Sequence, residues 1–201
     1  MKSSVRVDLF WIPLGAGAGG ALFRWGGWLY EAITSRCSGR PRCDLYHLAL
    51  AVSIDGVTTT VEMAPVWATR GERGVIAEGP VGLRLLGRLR LFRYEIRCWS
   101  GGSILGAARA VGSPVAITGG PDIGRRILEL VPQFPTMVWG RDELHTGDMW
   151  NSNSLISWLL VRAGIDLTGI EPPPGARAPG WDAGVIAASG EPTESRQRRR
   201  S

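Results

Sequence analysis

The sequence predicts an α+β fold, an antiparallel sheet packed against a few helices. Three observations predict it. Residues 45–63 read as a β-hairpin, residues 91–99 alternate as a further strand, and residues 121–131 and 151–160 carry helical patterns opened by helix-starting residues.

The first element is a strand in which Val5, Val7, Leu9 and Trp11 recur at every second position. The apolar run over residues 9–23 is too short to span a bilayer, and Asp8, Pro13 and the glycines interrupt it, so neither a signal peptide nor a membrane span is expected. Gly15, Gly17 and Gly20 fit the dinucleotide spacing G-x-G-x-x-G, which requires a helix to begin there. Trp25-Gly26-Gly27-Trp28 reads instead as a hairpin turn, and no second strand with an acidic end follows, so a surface loop explains the glycines better. A brief helical stretch is expected over residues 29–35, then a loop over 37–44.

The hairpin is the clearest signal. Tyr46, Leu48, Leu50, Val52 and Ile54 alternate with His47, Ala49, Ala51 and Ser53, and Asp55-Gly56 is a preferred two-residue turn. That turn pairs Ile54 with Val57, Ser53 with Thr58, Ala51 with Thr60 and Ala49 with Glu62. His47 and Glu62 then share a face on a diagonal that their side chains can bridge. Ala64-Pro65 ends the return strand, and residues 69–82 read as a charged, glycine-rich surface excursion. Over residues 91–99, Phe92, Tyr94, Ile96 and Cys98 occupy one side and Arg93, Glu95 and Arg97 the other, a strand expected beside the hairpin.

Residues 100–120 are rich in Gly, Ala and Ser, with a short extended segment expected at 115–118. Pro121-Asp122 opens a helix with an apolar stripe of Ile123, Ile127, Leu128 and Val131, Arg125 and Arg126 on its wet face, and Pro132 and Pro135 as stops. Residues 139–150 are turn-like and hold His145 as an exposed side chain. Residues 151–160, NSNSLISWLL, begin with preferred N-cap types and continue as a buried helix, with Gly164 as its stop.

One domain is expected over residues 1–170. Beyond Ile170 the composition shifts to Pro, Gly and Arg, so residues 171–201 read as a largely disordered tail in which Trp181, Val185 and Ile186 can dock locally. The 201 residues are 44% hydrophobic and 20% charged, the composition of a soluble globular protein, and nine tryptophans suggest a thick core or an aromatic-lined cleft. The net charge of +5 is scattered, with four arginines in the last six residues, so no basic stripe points to nucleic acid. Three cysteines argue against a disulfide framework and for the reducing cytoplasm.

His47 and Glu62 over small alanines resemble the base and orienting acid of a catalytic constellation; solvated polar residues on an amphipathic hairpin are the other reading. Cys37, Cys43 and His47 lack a Cys-x-x-Cys pair and a fourth ligand, so no metal and no cofactor is expected. Cys98 reads as a core thiol.

A helix whose first turn presents a nucleophile against a strand that presents a histidine is the working geometry of papain-like folds. The oriented N–H groups of the helix start favour an anionic nucleophile and a developing oxyanion. In the circularly permuted branch, which includes NlpC-type peptidase relatives and lecithin retinol acyltransferase-like proteins, the histidine strand precedes the nucleophile helix. This chain has that order. Its segments LYHLALAV at 45–52, EMAP at 62–65 and WNSNSLISWLLVRAG at 150–164 also resemble an uncharacterised group of actinobacterial proteins over most of residues 5–190.

The resemblance implies a permuted papain-like fold with His47 as base, Glu62 orienting it, and Ser154 as nucleophile where such families carry cysteine after asparagine. An alcohol is harder to ionise than a thiol, so His47 would act as a general base. Two functions follow from this. One is a hydrolase or acyltransferase acting on amide or ester bonds; the other is an inactive module of the same fold that binds a small-molecule or peptide ligand.

Overall fold

Period-two patterning sets the strands, and the computed structural model, which describes residues 4–14, 16, 31–32, 35–36, 39–66, 74–104, 106–112 and 114–190, shows an α+β fold. Strand β1 (Val5–Pro13) lies antiparallel to β2 (Tyr46–Ile54), with Val7 opposite Val52 and Ile12 opposite His47. Asp55 and Gly56 take positive φ values of 51° and 84°, as a tight hairpin turn between right-twisted strands requires. They lead into β3 (Val57–Pro65), and Ile54–Val57, Ser53–Thr58 and Ala51–Thr60 pair as expected.

The excursion expected from residue 69 instead contains β4 (Val75–Pro80). Six residues ending in Gly-Pro leave little periodicity to read. The strand forms because β5 (Arg93–Ser100) offers its free edge, and Gly79 lies against the ring of Tyr94, where a side chain would clash. The extended segment expected at 115–118 is β6 (Val115–Ile117), paired with β1. The sheet order is β4-β5-β3-β2-β1-β6.

Three helices follow in sequence: α1 (Ile123–Leu130), α2 (Ser152–Arg162) and α3 (Trp181–Ser189). They cover one face of the sheet. Leu9, Leu48, Leu50, Val61 and Ile96 of that face share a core with Ile127, Leu155, Ile156 and Leu159. Gly124 fixes α1 to this side, its bare Cα lying against Val5, Val52 and Ile54. Leu130 joins the buried stripe of α1, while Arg125 and Arg126 are exposed. Gly164, with φ of 82°, ends the α2 segment as expected.

The opposite face is buried too, which alternation alone does not reveal. Ile12, Ala49, Ala51, Thr60, Glu62, Glu95 and Arg97 are all buried, and the apolar ones among them stand outside the main core. Segments after β5 close part of this face: Thr60 Oγ1 donates to Gly102 O at 2.8 Å, and Gly106 sits against Ile12 and Ala16.

The expected boundary at residue 170 does not describe the chain up to Gly190. Arg177 pairs with the main chain before β2, Tyr46 N donating to Arg177 O at 2.9 Å and Arg177 N to Asp44 O at 2.9 Å. Helix α3 then packs along α2, with Trp181 facing Trp11 at a ring-centroid separation of 6.0 Å. Main-chain pairing and glycine-mediated close packing hold this segment, and neither registers in hydrophobicity or composition. Residues 191–201, the G-x-G-x-x-G glycines, the turn at 25–28 and Cys37 lie outside the described residues; of residues 29–35, Glu31, Ala32 and Ser35 are described and helical. No helix among the described residues is long and apolar enough to cross a membrane.

Gly184 is where α3 meets α2 most closely, and a Cβ there would overlap Ser157 Oγ and the backbone of Ser154. Gly184→Ala is expected to lower stability by about 1–3 kcal/mol through overpacking, read as a lower midpoint in urea denaturation.

Candidate functional site

The start of α2 is built by its own short side chains. Asn151 is the N-cap: its Oδ1 accepts from Asn153 N at 2.8 Å, and its N–H donates to Ser154 Oγ at 3.1 Å, a reciprocal capping box. Ser154 is completely buried, and its hydroxyl donates to Gly180 O at 2.8 Å. One turn later Ser157 donates to Trp181 O at 2.8 Å. The two serines therefore dock α3 through carbonyls at its beginning. Asn151 and Asn153 both give their amide N–H groups to Pro179 O, at 2.8 and 2.7 Å.

The helix start and the histidine strand meet at the backbone. Asn153 Nδ2 donates to Tyr46 O at 3.0 Å, the carbonyl of the peptide that joins Tyr46 to His47. Beyond Leu50 opposite Val61 the β2–β3 ladder ends, so the Tyr46 carbonyl lies outside it and the asparagine side chain engages it. Asn153 Oδ1 is buried without a hydrogen-bond partner.

The catalytic groups expected to converge do not. Alternation sends His47 out of the sheet on the face of Ile12 and Ala49, away from the face that the helices cover. Among the described residues no hydrogen bond links His47 to Ser154 or Glu62. Ser154 cannot present a nucleophile, because its hydroxyl already accepts from Asn151 and donates to Gly180 with no exposure to solvent. Ser152 sits differently in one respect: it is the first residue of α2, and it is buried as Ser154 is. The dipeptide Asn-Ser occurs twice in NSNS, so composition favours neither serine; the position of the N-cap separates them.

Glu62 is also committed elsewhere. Arg97, fully buried, donates Nη1 to Glu62 Oε1 at 3.0 Å, Nε to Glu95 Oε2 at 2.9 Å and Nη2 to Pro65 O at 3.1 Å. The strand register makes this possible, with Glu62 opposite Arg97 and Ala64 opposite Glu95. One guanidinium thus serves two carboxylates beneath the surface. Burial pushes the Glu62 carboxyl up, partly offset by the Arg97 hydrogen bond. The sequence placed Arg93, Glu95 and Arg97 together on the second side of β5; opposite charges two residues apart on one strand were the available sign of an internal pair.

His47 keeps part of its surface in solvent, and desolvation pushes its imidazole down from 6.5 to about 4. The ring is neutral near pH 7, with one nitrogen donating and one accepting. Elsewhere, His145 is exposed with a φ of 53°, and Cys43 donates its thiol to Glu31 at 3.3 Å. Cys98 is half-buried on the core side. No group of three His, Cys, Asp or Glu residues placed to hold a metal occurs among the described residues.

The chain matches no family model, no curated protein and no solved structure.

Two consequences are measurable. Arg97→Met leaves Glu62 and Glu95 buried without their cation, and a loss of about 3–5 kcal/mol in denaturation at pH 7 is expected. The low folded pKa of His47 means that the unfolded chain binds the proton more tightly, so its contribution to stability is fully present above about pH 6.5 and is lost as pH falls toward 4. The raised Glu62 pKa acts in the opposite sense. Comparison with His47→Gln isolates the histidine: the native protein should lose on the order of 2 kcal/mol more than the variant between pH 7 and pH 4 in urea melts, and parallel pH profiles would show that His47 titrates normally.

Proposed function

We propose that this chain is a cleft protein of permuted papain-like design that lacks a working catalytic pair. It binds a small-molecule or peptide ligand beside His47, near the start of β2. The observation that carries this reading is the commitment of Ser154 to Gly180 while Asn153 holds the helix start on the His47 peptide. That junction keeps the positive end of α2 beside the histidine strand without joining base to nucleophile. The His47 imidazole, neutral near pH 7, has one donor and one acceptor, which suits a neutral ligand that carries both a carbonyl and an N–H, the groups of an amide or a short peptide.

A second reading, a serine-using hydrolase or acyltransferase, is favoured by one observation only. Ser152, not Ser154, stands at the first helical position, where helix N–H groups support an oxyanion.

A fluorophosphonate probe separates the two readings. The binding module stays unlabelled, and a screen of short peptides and N-acyl amides should raise its melting temperature by about 5–10 °C at a hundredfold excess over Kd, an increase lost in His47→Ala. Labelling that disappears in both Ser152→Ala and His47→Ala while surviving in Ser154→Ala would replace the binding module with the enzyme. Ser154→Ala itself should cost about 1–3 kcal/mol, because it strands the buried Asn151 N–H and removes the hydroxyl that docks on Gly180.

A further inference from the structure

Between β4 and β5 the chain makes an ordered double 3-10 turn, Arg84–Arg88 and Arg90–Phe92, with the apolar side outward. Its backbone is tied at three-residue intervals: Leu86 N donates to Leu83 O at 3.1 Å, Leu89 N to Leu86 O at 2.9 Å and Phe92 N to Leu89 O at 2.9 Å. It is also anchored to the sheet, with Gly87 against Pro80 and Arg93 Nε donating to Gly87 O. Yet Leu83, Leu85, Leu89 and Leu91 are 51%, 69%, 57% and 64% exposed. Scattered exposed leucines are ordinary, but four within nine consecutive residues of a fixed turn form a patch that calls for a covering surface.

The charges around the patch indicate which surface. Residues 82–93 contain four arginines and no acidic residue. Arg84 is paired with Glu143 at 3.0 Å and Arg93 with Glu78 at 3.0 Å. Arg88 and Arg90 are exposed and make no ion pair among the described residues, so they sit between the leucines as uncompensated cations. Leucines aimed outward among free arginines complement the boundary between acyl chains and anionic headgroups, where apolar burial and charge attraction add.

We propose that this turn is a peripheral membrane-docking element that seats the protein on an anionic lipid surface. Leu83, Leu85, Leu89 and Leu91 enter the headgroup boundary, and Arg88 and Arg90 meet lipid phosphates. The sheet edge at β4 and β5 then faces the bilayer. This inference is independent of the function proposed for His47 and the start of α2.

Co-sedimentation of the full chain with vesicles tests it. Partition onto phosphatidylcholine vesicles containing phosphatidylglycerol should exceed that onto phosphatidylcholine alone by roughly tenfold and weaken at high salt. Leu85→Ser with Leu89→Ser should lower partition at least about tenfold with an unchanged melting curve, since both side chains are exposed. Arg88→Gln with Arg90→Gln should remove the preference for anionic lipid. Failure of the folded native chain to partition would overturn the proposal. So would partition that survives the leucine substitutions, since that would assign adsorption to the arginines near the C-terminus. A dimer in light scattering that the leucine substitutions dissociate, with no vesicle binding, would assign the patch to a second copy of the chain.

Discussion

Recognition of main-chain carbonyls by the first turns of α2 holds the molecule together. Asn151, Asn153, Ser154 and Ser157 place donors on Pro179, Gly180, Trp181 and Tyr46 oxygens, linking the sheet, the central helix and the last helix in one buried seam. A buried carbonyl outside the strand ladders, such as those of Tyr46 and Pro179, would cost about 1–3 kcal/mol without a donor. Short polar side chains at a helix start are the residues best able to supply those donors without filling the space that α3 occupies.

This seam explains why motif order and chemistry diverge. The Asn153–Tyr46 hydrogen bond sets the start of the late helix beside the histidine strand. Meeting at the backbone is not alignment of side chains. His47 leaves the sheet on the other face, Glu62 answers Arg97, and Ser154 answers Gly180. The roles expected for Ser154 and Glu62 are thus taken by docking and internal charge balance.

Much of the fold was legible because it follows from local periodicity. The β2–β3 hairpin, its turn and register, β5, and the capped start of α2 all follow from alternation or from cap chemistry within a few residues. What stayed hidden depends on partners far along the chain. Strand β4 exists through the edge of β5, the second sheet face is buried by segments with no pattern of their own, and residues 171–190 join through glycine clearances at Gly180 and Gly184. At the site, the location of His47 was readable, but the commitment of Glu62 was not, since it is settled by a guanidinium 35 positions away.

The hairpin turn carries a kinetic implication. Asp55 holds a left-handed conformation without being glycine, and its carboxylate accepts from Ser4 N at 3.1 Å, binding the amino-terminal edge of β1 to the tip of the hairpin. Only β2 and β3 are joined by that bend, whereas pairing β1 with β2 must close the connection over residues 14–45, so the hairpin carries the lower loop-closure cost of the two pairings.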